Sequence, residues 1–168
     1  MQDERDRLIA CIPRLRRYAR ALLGDRTGAD DLVQDTMERG WKKLSTWQRG
    51  SDMRAWLFGI MHNLHVDQVR KPSLPTEELD EDTPLPVSHQ SLSDGLEMRD
   101  LDTALRSLPP EQREILLLVA LEEMSYEEVA ATLGLPLGTV MSRLSRARQK
   151  LRAQMEGRAV VSLLKVVK

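Results

Sequence analysis

Apolar residues recur along this chain at spacings of three and four, the period of an amphipathic helix. Leu8, Ile12, Leu15, Ala19 and Leu22 line one such face. Pro13 interrupts it, which predicts a kink or a late start, and Gly24 is a plausible stop. Thr27, with Asp30 three residues on, reads as a weak capping box for the next helix. That helix is predicted to bury Leu32, Val33, Thr36, Met37, Trp41 and Leu44. A polar turn from Gln48 to Asp52 contains Gly50 and precedes a third helix, from about Met53 to Val69. Leu57, Ile60, Met61 and Leu64 form its apolar stripe, and Pro72 ends it.

The C-terminal part follows the same period. Leu101, Ala104, Leu105 and Leu108 share a face, and Pro109 and Pro110 break that helix and open the next. Ile115 to Leu121 is apolar all round, which predicts a buried helix. Ser125 followed by Glu128 is a full capping box, and Gly134 can take the left-handed conformation that ends a short helix. Pro136 then stands near the start of a last helix, predicted to reach about Met155 and to close at Gly157. No segment alternates with period two. The expected class is all-α.

Between the two helical parts the pattern vanishes. Residues 72–93 hold four of the eight prolines and an acidic run, Glu77, Glu78, Asp80, Glu81 and Asp82. Loops this long are uncommon inside compact domains, so the segment is read as a flexible, acidic, Pro-rich linker. The chain then divides into a domain over 1–71, the linker over 72–93, a domain over 94–158 and an apolar tail over 159–168. The tail could extend the last helix, pack on the domain or stay disordered. Each domain, at about 65 residues, sits near the lower size limit for a self-standing core.

Charge changes this picture more than composition does. The 168 residues carry a net charge of −1, but unevenly. Pro72 to Met98 contains no Lys or Arg, whereas Leu137 to Ala153 contains five basic residues and no acid. Only the basic segment suits a polyanion. The one cysteine, Cys11, cannot form an intramolecular disulfide and reads as a small hydrophobe in the core. The longest apolar run, Ile115 to Leu121, is far too short to span a membrane, and residues 1–7 lead into no signal-type apolar core. A soluble cytoplasmic protein is expected, with no direct membrane insertion.

The stretch with most chemical content is Ser125 to Leu151, SYEEVAATLGLPLGTVMSRLSRARQKL. Two helices flank a turn with Gly134, the layout of a helix-turn-helix. On the second helix Val140, Leu144, Ala147 and Leu151 form the packing stripe. Thr139, Ser142, Arg143, Arg146 and Lys150 form another, whose arginines and hydroxyls can reach phosphates and base edges. A merely solvated face usually mixes charge signs, and this one does not. No catalytic constellation appears. His62 and His65 lie three apart, but no Cys or carboxylate cluster completes a metal site, and both read as surface or DNA-proximal groups. No metal, cofactor or small-molecule substrate is expected, and the chain is not expected to be an enzyme.

This stretch resembles the −35-binding region of bacterial sigma factors of the extracytoplasmic function (ECF) group, in the sigma-70 family. Upstream, SLPPEQREILLLVALEEMSYEEVA (Ser107 to Ala130) is similar to the preceding part of the same region 4 domain. GADDLVQDTMERGWKKL (Gly28 to Leu44) and MRAWLFGIMHNLHVDQVRK (Met53 to Lys71) resemble the polymerase-binding and −10-binding parts of region 2. The resemblance covers about nine-tenths of the chain, with several motifs in the family's order. It implies two small helical domains, region 2-like and region 4-like. It implies binding to the largest subunits of core RNA polymerase through Asp31, Leu32, Gln34, Asp35 and Glu38. It implies capture of the opened −10 strand at the loop Arg49, Gly50, Ser51 and Asp52 and along Arg54, Asn63, Asp67, Arg70 and Lys71. The −35 element falls to Thr139, Ser142, Arg143, Arg146 and Lys150.

The resemblance also implies control by an anti-sigma factor that hides these surfaces. The acidic linker could imitate RNA in the polymerase channel or serve only as a solubilising spacer. Few aromatics are present, and Trp56 and Phe58 read as mainly core, so melting should rest on a few captured bases. Met141 stands where the family often has a basic residue, and His62 and Val66 stand at positions that vary widely in it, so the promoter sequence does not transfer.

Overall fold

A computed structural model describes the backbone of residues 2–70 and 92–166 and the side chains of 2–69 and 99–156. Residues 72–91 of the linker read over 72–93, and the side chains of the tail, lie outside the described residues, whereas residues 92–93 belong to a helix that starts at Leu92. The described elements are all helical. In the N-terminal half these are α1 (Gln2–Ala10), α2 (Ile12–Leu23), α3 (Arg26–Lys42), a single 3-10 turn at Leu44–Thr46, and α4 (Met53–Arg70). The C-terminal half has α5 (Leu92–Ser107), α6 (Pro110–Ala120), α7 (Tyr126–Leu133) and α8 (Leu137–Val166).

Local chemistry sets most boundaries. Pro13 occupies the first turn of α2, where its missing N–H costs nothing, so the expected break falls between α1 and α2 at Cys11. Gly24 ends α2 with φ 70°, and Gly134 ends α7 with φ 66°. The Ser125–Glu128 capping box is made in both directions. Two expectations at helix ends fail. The cap of α3 is Asp25, not Thr27: its extended backbone lets the carboxylate accept from the N–H groups of both Thr27 and Gly28. α8 does not close at Gly157 but continues to Val166, so the tail extends the helix.

The core is made of the predicted stripes. Leu8, Leu15, Ala19, Leu22, Leu32, Leu57 and Met61 fill the N-terminal half. Ala104, Leu108, Ile115 to Leu118, Val129, Val140, Leu144 and Ala147 fill the C-terminal half. Gly40 lets α4 approach α3, because a methyl there would meet the Leu57 side chain at 2.8 Å. Trp41 departs from expectation: it is 46% exposed, with the Arg5 guanidinium 5.0 Å from its ring centre. Leu101 is also exposed.

The two halves pack on one another, and apolar burial runs continuously through both. α2 lies against α6, and α4 lies against α7. Gly59 of α4 faces the Thr132 carbonyl of α7 so closely that a Cβ would sit 3.4 Å from it. Two arginines tie the helix ends across this contact. Arg106 donates to the Leu23 carbonyl (2.9 Å), its guanidinium against Gly24. Arg113 donates to the carbonyls of Leu105, Leu22, Arg106 and Leu108 at 2.8–2.9 Å, closing the C-termini of α2 and α5 at once. Bonds from a charged donor contribute about 1.5–3 kcal/mol each at most, and are not additive. Arg113→Ala should therefore lower stability by about 2–3 kcal/mol in urea unfolding. Arg113→Lys should recover less than half of that, since an ammonium cannot serve four divergent carbonyls.

Candidate nucleic-acid and polymerase interface

The helix-turn-helix is α7, the turn through Gly134 and Pro136, and the first part of α8. Val140, Leu144 and Ala147 are buried, which fixes the rotation of α8 about its axis. Ser142, Arg146 and Lys150 are then exposed, and Thr139 and Arg143 are half-buried beside them. The Ser142 hydroxyl donates back to the Thr139 carbonyl at 3.3 Å. Among the described residues no acid pairs with Arg143, Arg146 or Lys150. Arg148, on another face, lies 3.4 Å from the Tyr126 hydroxyl. Leu137 and Met141 are exposed apolar residues at the head of the same helix.

The −10 candidates are spread over the loop before α4 and the helix itself. Arg49 is exposed and paired with Glu4 at 2.7 Å. Gly50 has φ 90° and open space where a side chain would stand, so another chain can approach its backbone. Ser51 donates to the Gln48 carbonyl, and Asp52 accepts from the Arg54 N–H as the start of α4. Asn63 and Asp67 are exposed on one stripe. Arg54 is not on that stripe. It points into the contact between halves, 20% exposed, donating to the Glu122 carbonyl at 3.0 Å. The Arg70 side chain and Lys71 lie outside the described residues.

On α3, Asp31, Gln34, Asp35 and Glu38 are exposed, with Glu38 paired to Lys42 at 3.2 Å. Leu32, grouped with them from sequence, is wholly buried and offers a partner no surface. The helical period puts it on the core stripe with Ala29 and Thr36 instead. Beside the polar face runs an open groove of about 810 Å³ between α2 and α3. Its lining includes Ile12, Val33, Met37 and Trp41 as well as Gln34 and Glu38. Sequence reading missed this groove because it assigned Met37 and Trp41 to the core.

The histidines also belong elsewhere than expected. His65 is buried (8% exposed), and burial first, then His62 and Arg113, push its pKa down against the opposing pull of Glu114. His62 is partly buried with Nδ1 2.5 Å from Glu114 Oε1. His62 thus meets Glu114 of α6 in the C-terminal half rather than solvent. Among the described residues no cluster of three metal-ligating side chains forms. Cys11 is half-buried, and its thiol pKa is raised by burial and by Asp52 against the pull of Arg14 and Arg54.

Two family models account for both halves: the Sigma2 domain of PhyR matches residues 8–62, and Sigma-70 region 4 matches residues 98–151. The chain is 40% identical over 150 residues to the ECF RNA polymerase sigma factor EcfG of Rhodopseudomonas palustris, covering 89% of this chain and 83% of that protein. The chain belongs to the ECF sigma factors. The ECF sigma factor SigE of Mycolicibacterium smegmatis is 41% identical over 145 residues, 83% of this chain and 56% of that one. In three dimensions this ECF sigma factor is similar to RpoE from Bartonella quintana, solved in complex with the anti-sigma factor NepR. The TM-score is 0.76 at 34% identity, over 93% of this chain and 98% of that one. CnrH, solved with the cytosolic domain of CnrY, gives a TM-score of 0.64 at 27% identity, over 92% and 97%. The two halves of the fold are therefore region 2 and region 4, in that order.

Proposed function

We propose that this ECF sigma factor directs core RNA polymerase to promoters and performs no chemistry of its own. The observation that carries this reading is the acid-free basic stripe of α8, presented on a helix-turn-helix in a chain of this family. In this reading Arg146, Arg143, Ser142 and Thr139 read the −35 duplex from the major groove, and Lys150 holds phosphate. Asp31, Gln34, Asp35 and Glu38 meet basic side chains on the largest polymerase subunits. The loop Arg49 to Asp52, with Asn63, Asp67, Arg70 and Lys71, captures the opened −10 strand. An anti-sigma factor holds the chain inactive, as the solved complexes of its relatives with NepR and CnrY suggest. No described helix is long and apolar enough to cross a membrane, which agrees with work in the cytoplasm beside the polymerase.

The deciding experiment is run-off transcription with core polymerase and a library of promoter fragments. Transcripts that start at a defined distance from a shared two-element sequence, and only when this chain is added, are the expected result. Sequence-specific binding to duplex DNA without polymerase, and no transcript with it, would replace this reading with a stand-alone regulator.

A further inference from the structure

Leu137 and Met141 are large apolar side chains on the open surface, 40% and 51% exposed, at the head of α8. A lone exposed apolar residue needs no explanation. These two stand four residues apart, so they share one ridge of the helix, and exposed Ser145 continues it. The neighbouring ridge holds Ser142 and Arg146, both exposed. The apolar pair therefore belongs to the same open face as the basic stripe. Gly138 stands between the two in sequence, and a Cβ there would have nothing within 4 Å. Packing inside the protein does not account for a glycine at this place, and another molecule can come close to the backbone.

The polar side chains of this face leave one kind of base pair unread. Arginine pairs with guanine, and a serine or threonine hydroxyl bonds to either kind of pair. In the major groove an A·T pair is marked by an Asn or Gln amide on adenine, or by an apolar side chain on the thymine methyl. Residues 137–148 contain no Asn or Gln, and the first amide of α8 is Gln149. The N-terminal residues of a recognition helix are the ones that reach base edges. At that end of α8 only an apolar contact can mark an A·T pair. Thr139 carries a methyl but is half-buried at the flank. Met141 is exposed, and its unbranched chain is flexible enough to settle on a methyl group.

We propose that Met141, backed by Leu137, reads the C5-methyl of a thymine in the −35 duplex, which makes that thymine a specificity determinant beside the guanines read by Arg143 and Arg146. Met141 precedes Arg146 by about 7.5 Å along the helix axis, so the thymine lies about two base pairs from the guanine of Arg146. Burying one methyl group is worth about a factor of four in affinity. This inference rests on the function proposed above, but the two can fail separately.

The test uses the full chain with core polymerase on a −35 sequence selected from the run-off library. Each thymine of that element, on either strand, is replaced in turn by deoxyuridine, which removes the methyl and nothing else. At limiting holoenzyme one such replacement should lower the run-off yield about three- to fivefold. This arm uses the wild-type protein and needs no variant to fold. Met141→Ala should lower the yield on the thymine promoter by about the same factor and make thymine and uracil equivalent there, while still discriminating at the guanines. Met141→Leu should keep most of the methyl preference, and Leu137→Ala should weaken it. Both positions are exposed, so all three variants should melt at the wild-type temperature. Wild-type yields that ignore every uracil overturn the proposal. So does a selected element with no thymine on either strand, or a Met141→Ala chain that keeps the full preference for thymine over uracil. In each of those cases the sigma function stands. Absence of wild-type run-off from every promoter speaks against the sigma function itself and takes methyl reading with it.

Discussion

Replacing Arg143 and Arg146 together by alanine is expected to cut initiation from a −35-dependent promoter by about two to four orders of magnitude. A bidentate arginine contact to guanine discriminates by about 1–3 kcal/mol, so two such contacts span about 2–6 kcal/mol at the promoter. Both side chains lie on the flank of α8 left open by the packing of Val140, Leu144 and Ala147, and no described acid competes for them. The change should leave core-polymerase binding intact, because the exposed acids of α3 are untouched. Lysine at either position keeps the charge but loses the paired donors. It should restore binding to non-specific DNA without restoring discrimination between −35 sequences. Lys150→Ala should act differently, weakening all promoters alike and lowering the dependence of binding on salt by about one counterion. Run-off yields on promoters substituted at each −35 position measure all three. Equal yields for wild type and the double alanine variant would remove α8 from promoter reading.

The helices were legible in the sequence because each carries a period of its own. Leu8, Leu15, Ala19 and Leu22 are buried as their spacing predicts, and so are Leu57, Ile60 and Met61. The glycine stops at 24 and 134 and the serine start at 125 have local causes and act locally. Asp25 was overlooked because capping is decided by backbone conformation, and Asp25 lies closer to the Gly24 turn than Thr27 does. Trp41 looked like core from its spacing, but its ring sits at the rim of a groove where Arg5 covers one side.

The candidate −35 stripe was legible for the same reason as the helices: its charge pattern rides on the period of α8. The contact between halves was not. Glu114 closes the polar stretch Glu111 to Glu114, just before the apolar run from Ile115, and nothing local marks it as a partner for His62. Glu122 and Arg54 are 68 residues apart, and nothing local in either segment marks the other. Long-range polar pairs have no periodicity, which is why neither the Arg54–Glu122 contact nor the burial of His65 is legible in the sequence.

Phe58→Ala is expected to cost about 3–5 kcal/mol, the usual penalty for emptying a large buried aromatic site. Phe58 is 2% exposed on α4, and its ring meets Tyr18 of α2 edge-to-face at 4.8 Å and 69°. Tyr18 in turn is so enclosed that burial, helped by Glu114 and Glu122, raises its phenol pKa well above the ordinary value. The pair thus lies under the seam between region 2 and region 4, and the size of the thermal shift reports how the halves melt. If the chain unfolds as one unit of 168 residues, Tm should fall by about 6–20 °C in a single transition. If region 2 unfolds alone, the same loss falls on a unit less than half that size. Its Tm should then drop by about 12–40 °C, while region 4 melts near its original temperature. Phe58→Leu, which keeps most of the volume, should recover more than half of the loss. Calorimetry of the two variants beside Glu122→Gln separates the core from the polar contact between the halves. The alanine change lowers the heat of unfolding of region 2, whereas the glutamine change should turn one transition into two with little loss in either.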